Sequence, residues 1–349
     1  MTPILNFRYA KRGRCEYGTQ AMNVTAYAAS VGHSVWFSND VGETWNRANT
    51  NTGGIYNESR CWCVAVHSDR PGEVLSGTDL GVYRWDPGPQ HWNHVPSPMD
   101  GLHILQVARA PSDPGIIFAG TRPAEVYRSL DDGRTWSRCR LGNSTECFFI
   151  NTPRVTSIQF DPEEPETVWV SIEIDGVYRT QDLGETWEKL NEGLISDDTH
   201  NLVFFDSENG GRDVLCSTEE GLHKSSDNGA NWRLIEVPRA PFVYMRCMER
   251  RADESEIVLM SVGDRPSGET GMLLRSRDRG ETWENVDLPG HVNSTIWSIG
   301  TNAADPKLIF CCTIMGQIFR SSDGGETWEK MTRELGELRM ITWQPTPAA

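Results

Sequence analysis

One octapeptide, Ser/Thr-x-Asp-x-Gly-x-Thr-Trp, recurs along this chain, and no other feature constrains its fold as tightly. It reads SNDVGETW at 38–45, SLDDGRTW at 129–136, TQDLGETW at 180–187, SSDNGANW at 225–232, SRDRGETW at 276–283 and SSDGGETW at 321–328. A seventh, degraded copy is WDPGPQHW at 85–92. The closing tryptophans stand at 45, 92, 136, 187, 232, 283 and 328, so successive spacings are 47, 44, 51, 45, 51 and 45 residues. A period of roughly 40 to 50 residues is the length of one four-stranded propeller blade. The 349 residues would otherwise suggest two domains; a closed ring of repeats removes that inference.

Each repeat has the same grammar. In the fourth, 155–160 alternates as an inner strand, 167–172 is a second apolar run, 176–180 begins a third and 186–190 supplies the fourth. Short runs separated by Gly, Pro and Asp turns predict an antiparallel meander, and no segment sustains a helical period. The expected fold is all-β: a seven-bladed β-propeller of four-stranded antiparallel blades. Within the octapeptide, Asp182 is suited to accept N–H bonds across a turn. Gly184 supplies a backbone conformation that a side chain obstructs. Trp187 opens the outer strand and can wedge between blades.

The ends fit the same scheme. The segment 337–344 reads as an inner strand, whereas 23–30 and 34–38 supply only second and third strands. The C-terminal strand is therefore expected to complete the first blade beside N-terminal strands, hiding edges that could pair with other chains. Residues 1–22 read as an N-terminal extension and 23–349 as the single propeller.

Thirty-three basic residues against 49 acidic ones give a formal charge of -16, which argues against a nucleic-acid or anionic-membrane surface. No run approaches the roughly 20 apolar residues of a membrane span. The first 18 residues carry Arg8, Lys11, Arg12 and Arg14 but no apolar core of signal-peptide length, so a cytoplasmic location is expected. Nine cysteines show no zinc-like spacing; Cys61, Cys63, Cys311 and Cys312 lie in strand-like runs and read as buried thiols. No metal and no cofactor is expected.

The repeats resemble the Asp-box, or BNR, repeats of sialidases, xyloglucan-cleaving glycoside hydrolases, sortilin-type receptors and photosystem II stability and assembly factors. The resemblance covers the chain beyond its N-terminal extension and implies the propeller fold; propellers host many activities. Sialidases carry Phe/Tyr-Arg-Ile-Pro before the first blade; the FRYA at 7–10 lacks the Ile-Pro. The stretch TDLGVYRWD at 78–86 is similar to the Thr-Asp-x-Gly-Gly-Ala-Tyr-Arg-Trp of the xyloglucanase-like family, which implies a catalytic carboxylate at Asp79. The Gly-Val-Tyr-Arg half recurs at 176–179, so a turn role for Asp79 stands beside the catalytic one.

In this fold the octapeptides occupy the turns between third and fourth strands, and ligand sites form on the opposite face. The residues leading into the inner strands there are Arg60, His103, Arg154, His200, Arg246 and Arg339, with His291 before the seventh repeat. Turns between second and third strands add Asp79, Glu173, Glu219, Asp264 and Arg122. Arginine forks suit carboxylate, phosphate or sulfate. Arg60, Arg122, Arg154, Arg246, His291 and Arg339 are thus candidate binding residues. His103, His200, Asp79 and Glu173 are candidates for proton transfer. Two insertions, 140–154 and 264–271, lengthen their repeats, and Phe148 and Phe149 in the first can form a lid or pack on the ring. Two functions are expected from this: a hydrolase or lyase acting on a small anionic or sugar-like substrate at the axial mouth, or a non-catalytic assembly factor docking an acidic peptide or partner protein.

Overall fold

Every repeat forms a four-stranded antiparallel sheet whose second strand carries a buried apolar run, because each sheet is covered on both faces by its neighbours. Val258–Gly263, for example, is buried at all six positions. The computed structural model describes residues 22–47, 54–56, 58–146, 152–207, 210–237, 242 and 244–347; among these there is no helix. Phe148 and Phe149 and almost all of the N-terminal extension lie outside the described residues.

Seven sheets of four strands make the ring. Numbered by their octapeptides, blades 2 to 7 have as inner strands Cys61–Ala65, His103–Ala110, Val155–Phe160, Thr199–Asp206, Tyr244–Arg250 and Ile296–Gly300. Blade 1 is built from both ends of the chain. Leu338–Pro345 pairs antiparallel with Val24–Ser30, Ala28 opposite Ile341, followed by Val35–Ser38 and Asn46–Arg47. The closure expected from the sequence is the one observed.

The octapeptide folds as a self-satisfied turn. In the first copy Asp40 accepts from the Ser38 hydroxyl (2.7 Å) and the Thr44 N–H (2.9 Å), while the Ser38 oxygen accepts from Gly42 N–H at 2.8 Å. The Trp45 indole N–H donates to the Gly42 carbonyl at 3.0 Å. Two consecutive residues adopt left-handed backbone, Val41 (φ 59°) then Gly42 (φ 92°), and Leu183 then Gly184 repeat this. A Cβ at Gly184 would meet Phe118 of the preceding blade at 3.2 Å, so only glycine lets the turn press into that flank. Trp45 packs beyond its own sheet with Phe310 and Met331, the wedge that the pattern predicts.

A second device repeats with the turn. A basic residue on the third strand of one blade donates to a left-handed carbonyl in the octapeptide of the next. Arg84 reaches Asp132 O at 2.7 Å, Arg179 reaches Asn228 O at 2.7 Å, and Lys224 reaches Arg279 O at 3.3 Å. Arg275 reaches Gly325 O at 2.9 Å, Arg320 reaches Val41 O at 2.7 Å, and Arg128 bonds the Leu183 carbonyl. The recurrent Tyr-Arg and its variants are therefore a blade-to-blade latch. Blade 1 alone carries a non-basic residue there, Phe37, and the blade it faces is the one with the degraded copy. In blade 2, Val82–Asp86 and His91–Val95 instead form a plain hairpin with Trp85 opposite Trp92.

Seven described cysteines are free and buried, as the strand-like runs predict.

Candidate functional site

All seven inner strands are bulged at the same height. Register shifts fall between Cys61/Cys63, Ile104/Gln106, Val155/Ser157, Thr199/Asn201, Met245/Met248 and Ile296/Ser298, and in blade 1 Ala29 faces Met340 while Ser30 faces Leu338. A bulge frees one residue from the ladder and re-aims its side chain. The freed residues are Trp62, Leu105, Thr156, His200, Arg246 with Cys247, Trp297 and Arg339. Six of these seven positions line a small axial cavity of about 30 Å³, together with Gln106 and Arg154. His200 joins the deeper channel of about 120 Å³, which Glu249, Gln159 and Asn201 also line.

The mouth is a stacked ladder. The Arg246 guanidinium lies 4.2 Å from the Trp297 ring centroid, Arg339 lies 4.9 Å from the same ring, and Arg339 is 5.4 Å from Trp62. Trp62 stacks on His103 at 5.4 Å. Cation–π attraction to these rings offsets part of the desolvation of the guanidiniums. Burial pushes Arg339 below the usual guanidinium range; Glu337 opposes this, and Arg154 and Arg246 push the same way. Like charges have been brought close enough to repel. Arg154 is paired with Glu173 at 2.8 Å, and Arg339 with Glu337. Arg246 Nε and Nη1 are buried and have no hydrogen-bond partner among the described residues, as is true of Arg154 Nε and Arg339 Nε. Unpaired buried donors on a cation are costly unless an acceptor arrives.

The sequence-predicted residues divide accordingly. Arg154, Arg246 and Arg339 converge on the mouth. His103 sits at its edge, stacked on Trp62, and burial holds its imidazole below the ordinary value. Arg60 is exposed: the bulge lies two residues further on, at Trp62, and Asp79 accepts the Arg60 backbone N–H at 3.2 Å, giving Asp79 a turn role. Arg122 is exposed and donates to the Thr152 carbonyl at 3.0 Å. His291 is exposed and does not line the mouth; its carbonyl accepts from Gln317. His200 is buried, with Nδ1 2.5 Å from the Met245 carbonyl and Nε2 3.4 Å from Asp198. Glu173 is engaged by Arg154. No group of three or more His, Cys, Asp or Glu side chains placed to hold a metal occurs among the described residues.

Sequence reading missed Trp62, Trp297 and Glu249. The tryptophans sit two residues into their strands, and a register counted from the first strand residue hides them. Glu249 lines the deeper channel and accepts from the Thr301 hydroxyl at 3.2 Å; burial pushes its carboxyl up to about 7. Nothing in its sequence context marks it.

Comparison with known proteins matches the BNR/Asp-box repeat model at residues 319–330 and the sortilin, neurotensin receptor 3 model at 175–314. The first match falls on the last of six turns that share one hydrogen-bond pattern. The chain is an Asp-box propeller. The propeller is 23% identical over 313 residues to a xyloglucanase of Paenibacillus sp., covering 76% of this chain and 29% of that protein. It is 27% identical over 156 residues to the photosystem II stability/assembly factor HCF136 of Arabidopsis thaliana, covering 44% of this chain and 37% of that protein. The propeller thus spans about a third of the length of the curated relatives it matches. Among solved structures, YCF48 bound to D1 peptide superposes with a TM-score of 0.59 at 18% identity, covering 87% of this chain and 94% of that one; at that identity the likeness is one of fold.

Proposed function

We propose that the axial mouth captures a carboxylate-bearing ligand, the acidic tail of a partner polypeptide, and holds it without transforming it. The observation that carries this reading is Arg246: a guanidinium stacked on Trp297, with two buried N–H groups lacking acceptors, beside two further arginines. A carboxylate supplies the missing acceptors in the fork geometry that arginine favours. The cavity that the three arginines line is about 30 Å³, the room of a head group, and Arg246 and Arg339 also border the adjoining channel of about 120 Å³. The rest of a ligand lies on the face, where Tyr56, Leu80, Ile195 and Met315 are exposed apolar contacts. A peptide-bound propeller of the same fold and an assembly factor among the relatives are consistent with this use.

The test is fluorescence anisotropy with a labelled acidic peptide ending in a free carboxylate, alongside its C-terminally amidated, neutral counterpart. Replacing Arg246→Met keeps the stem on Trp297 and removes charge-assisted bonds of about 1.5–3 kcal/mol. Affinity should fall roughly 10- to 100-fold, with circular dichroism unchanged. Free acetate or citrate should compete. Unchanged affinity in the variant, or equal binding of the neutral peptide, rejects the reading.

Hydrolysis is the second reading, and Glu249 favours it, since a carboxyl near 7 suits a general acid. The xyloglucanase among the relatives is consistent with it. Against it, the candidate carboxylates Asp79 and Glu173 are already engaged by the Arg60 N–H and by Arg154.

A further inference from the structure

The six latches fail at one seam, and a cavity of about 170 Å³ lies there. It sits between blades 1 and 2, where Phe37 replaces the basic latch residue and the hairpin of Trp85 and Trp92 replaces the Asp-box turn. At the other seams a box glycine presses into the preceding blade; Gly184 against Phe118 is one example. Here that turn is missing and the space remains open.

Its lining is distinctive in a chain of -16 charge. Among the described residues, no charged side chain lines it. The floor is aromatic and apolar, with buried Tyr27, Val35 and Trp92 and half-buried Phe37 and Trp85. Trp85 lies 5.5 Å from Trp92, tilted by 57°. The rim is amide and hydroxyl: Asn39, Gln90 and Thr346. Asn39 Oδ1 already accepts from the Thr25 hydroxyl at 2.9 Å, which leaves its amide nitrogen to donate.

We propose that this seam pocket binds one ring of a neutral saccharide. The C–H face of a pyranose matches an indole or phenol ring, and its hydroxyls both donate and accept, as amides require. An ionised ligand finds no counter-charge and would be desolvated without compensation. The volume holds about five or six waters at ~30 Å³ each, the room of a single ring. A proline ring fits the aromatic floor equally well in shape, but it brings only a carbonyl acceptor and no donor for the oxygens of Gln90 and Thr346. The site is independent of the arginine mouth, on a different seam and of opposite chemical character.

The experiment is saturation-transfer NMR on the full chain with a panel of neutral methyl glycosides (gluco, galacto, manno and xylo). Wild type, Trp85→Ala, Gln90→Ala and Arg246→Met are run side by side. Gln90 is exposed, so its variant keeps the fold even if loss of Trp85 disturbs blade 2. The proposal predicts saturable transfer to ring protons of at least one glycoside. Binding should weaken about tenfold or more in Trp85→Ala, measurably in Gln90→Ala, and less than about twofold in Arg246→Met. It is overturned if no glycoside gives saturable transfer. Full binding in both pocket variants, or a proline-rich peptide binding where the sugars do not, overturns it as well.

Discussion

Replacing Arg320 by methionine should remove the latch from blade 7 to blade 1 and measurably loosen the ring. Arg320 Nη1 donates to the Val41 carbonyl at 2.7 Å and stands 2.9 Å from Glu43, while Nη2 lies 2.6 Å from Glu329. The guanidinium is mostly buried, but Glu43 and Glu329 are 60% and 69% exposed. The two ion pairs are therefore worth only about 0.2–1 kcal/mol each. The bond from a charged donor to the carbonyl contributes about 1.5–3 kcal/mol. Methionine keeps the apolar stem, so the expected loss is about 2–5 kcal/mol. Guanidinium unfolding followed by tryptophan fluorescence would read this as a lower midpoint at unchanged slope. The reciprocal change, Phe37→Arg, supplies a donor where no box carbonyl waits and removes a half-buried aromatic packed on Tyr27, Val35 and Trp92, so it should bring no gain in stability. A loss below about 0.5 kcal/mol in Arg320→Met, or a clear gain in Phe37→Arg, would refute the latch.

Other outcomes follow from the same structure. The Thr186 hydroxyl and N–H hold the Asp182 carboxyl down at about 2. Its contribution is complete above the ordinary carboxylate range and is lost as pH falls through about 2, so Asp182→Asn should flatten the acid limb of a melting-temperature profile. Glu249 has the opposite sign: with its carboxyl raised to about 7, stability is full below the ordinary carboxylate range and declines as pH rises through about 7. Glu249→Gln should abolish that decline in the same melting series. Burial pushes Cys61, Cys63, Cys139 and Cys247 up to about 12. A thiol titration of the native protein near neutral pH should therefore leave all seven described cysteines unmodified.

The ring was legible because its signals are periodic. Asp, Gly and Trp sit at fixed offsets in six turns, and each has a local reason to be there, so blade number and the closure by Leu338–Pro345 could be counted off the chain. The latch was half legible: Gly-Val-Tyr-Arg could be seen to recur, but its acceptor is a backbone carbonyl in the next blade, which carries no sequence mark. The mouth was least legible. Arg154, Arg246 and Arg339 could be found by their position near strand starts. The bulge that frees Trp62 in place of Arg60, and Leu105 beside His103, is a backbone event set by packing of seven strands around one axis. A side chain shifts from axis to sheet with one residue of register, and composition cannot report which.

If the three arginines form one anion-binding site, a crystal structure of the chain with an acidic peptide bearing a free carboxylate tests it most directly. The account predicts carboxylate density over the axis, within hydrogen-bond reach of Arg246 and at least one of Arg154 and Arg339, with Trp62 and Trp297 unmoved. Peptide bound with its carboxylate away from the axis, or an axis still empty at saturating peptide, would contradict it.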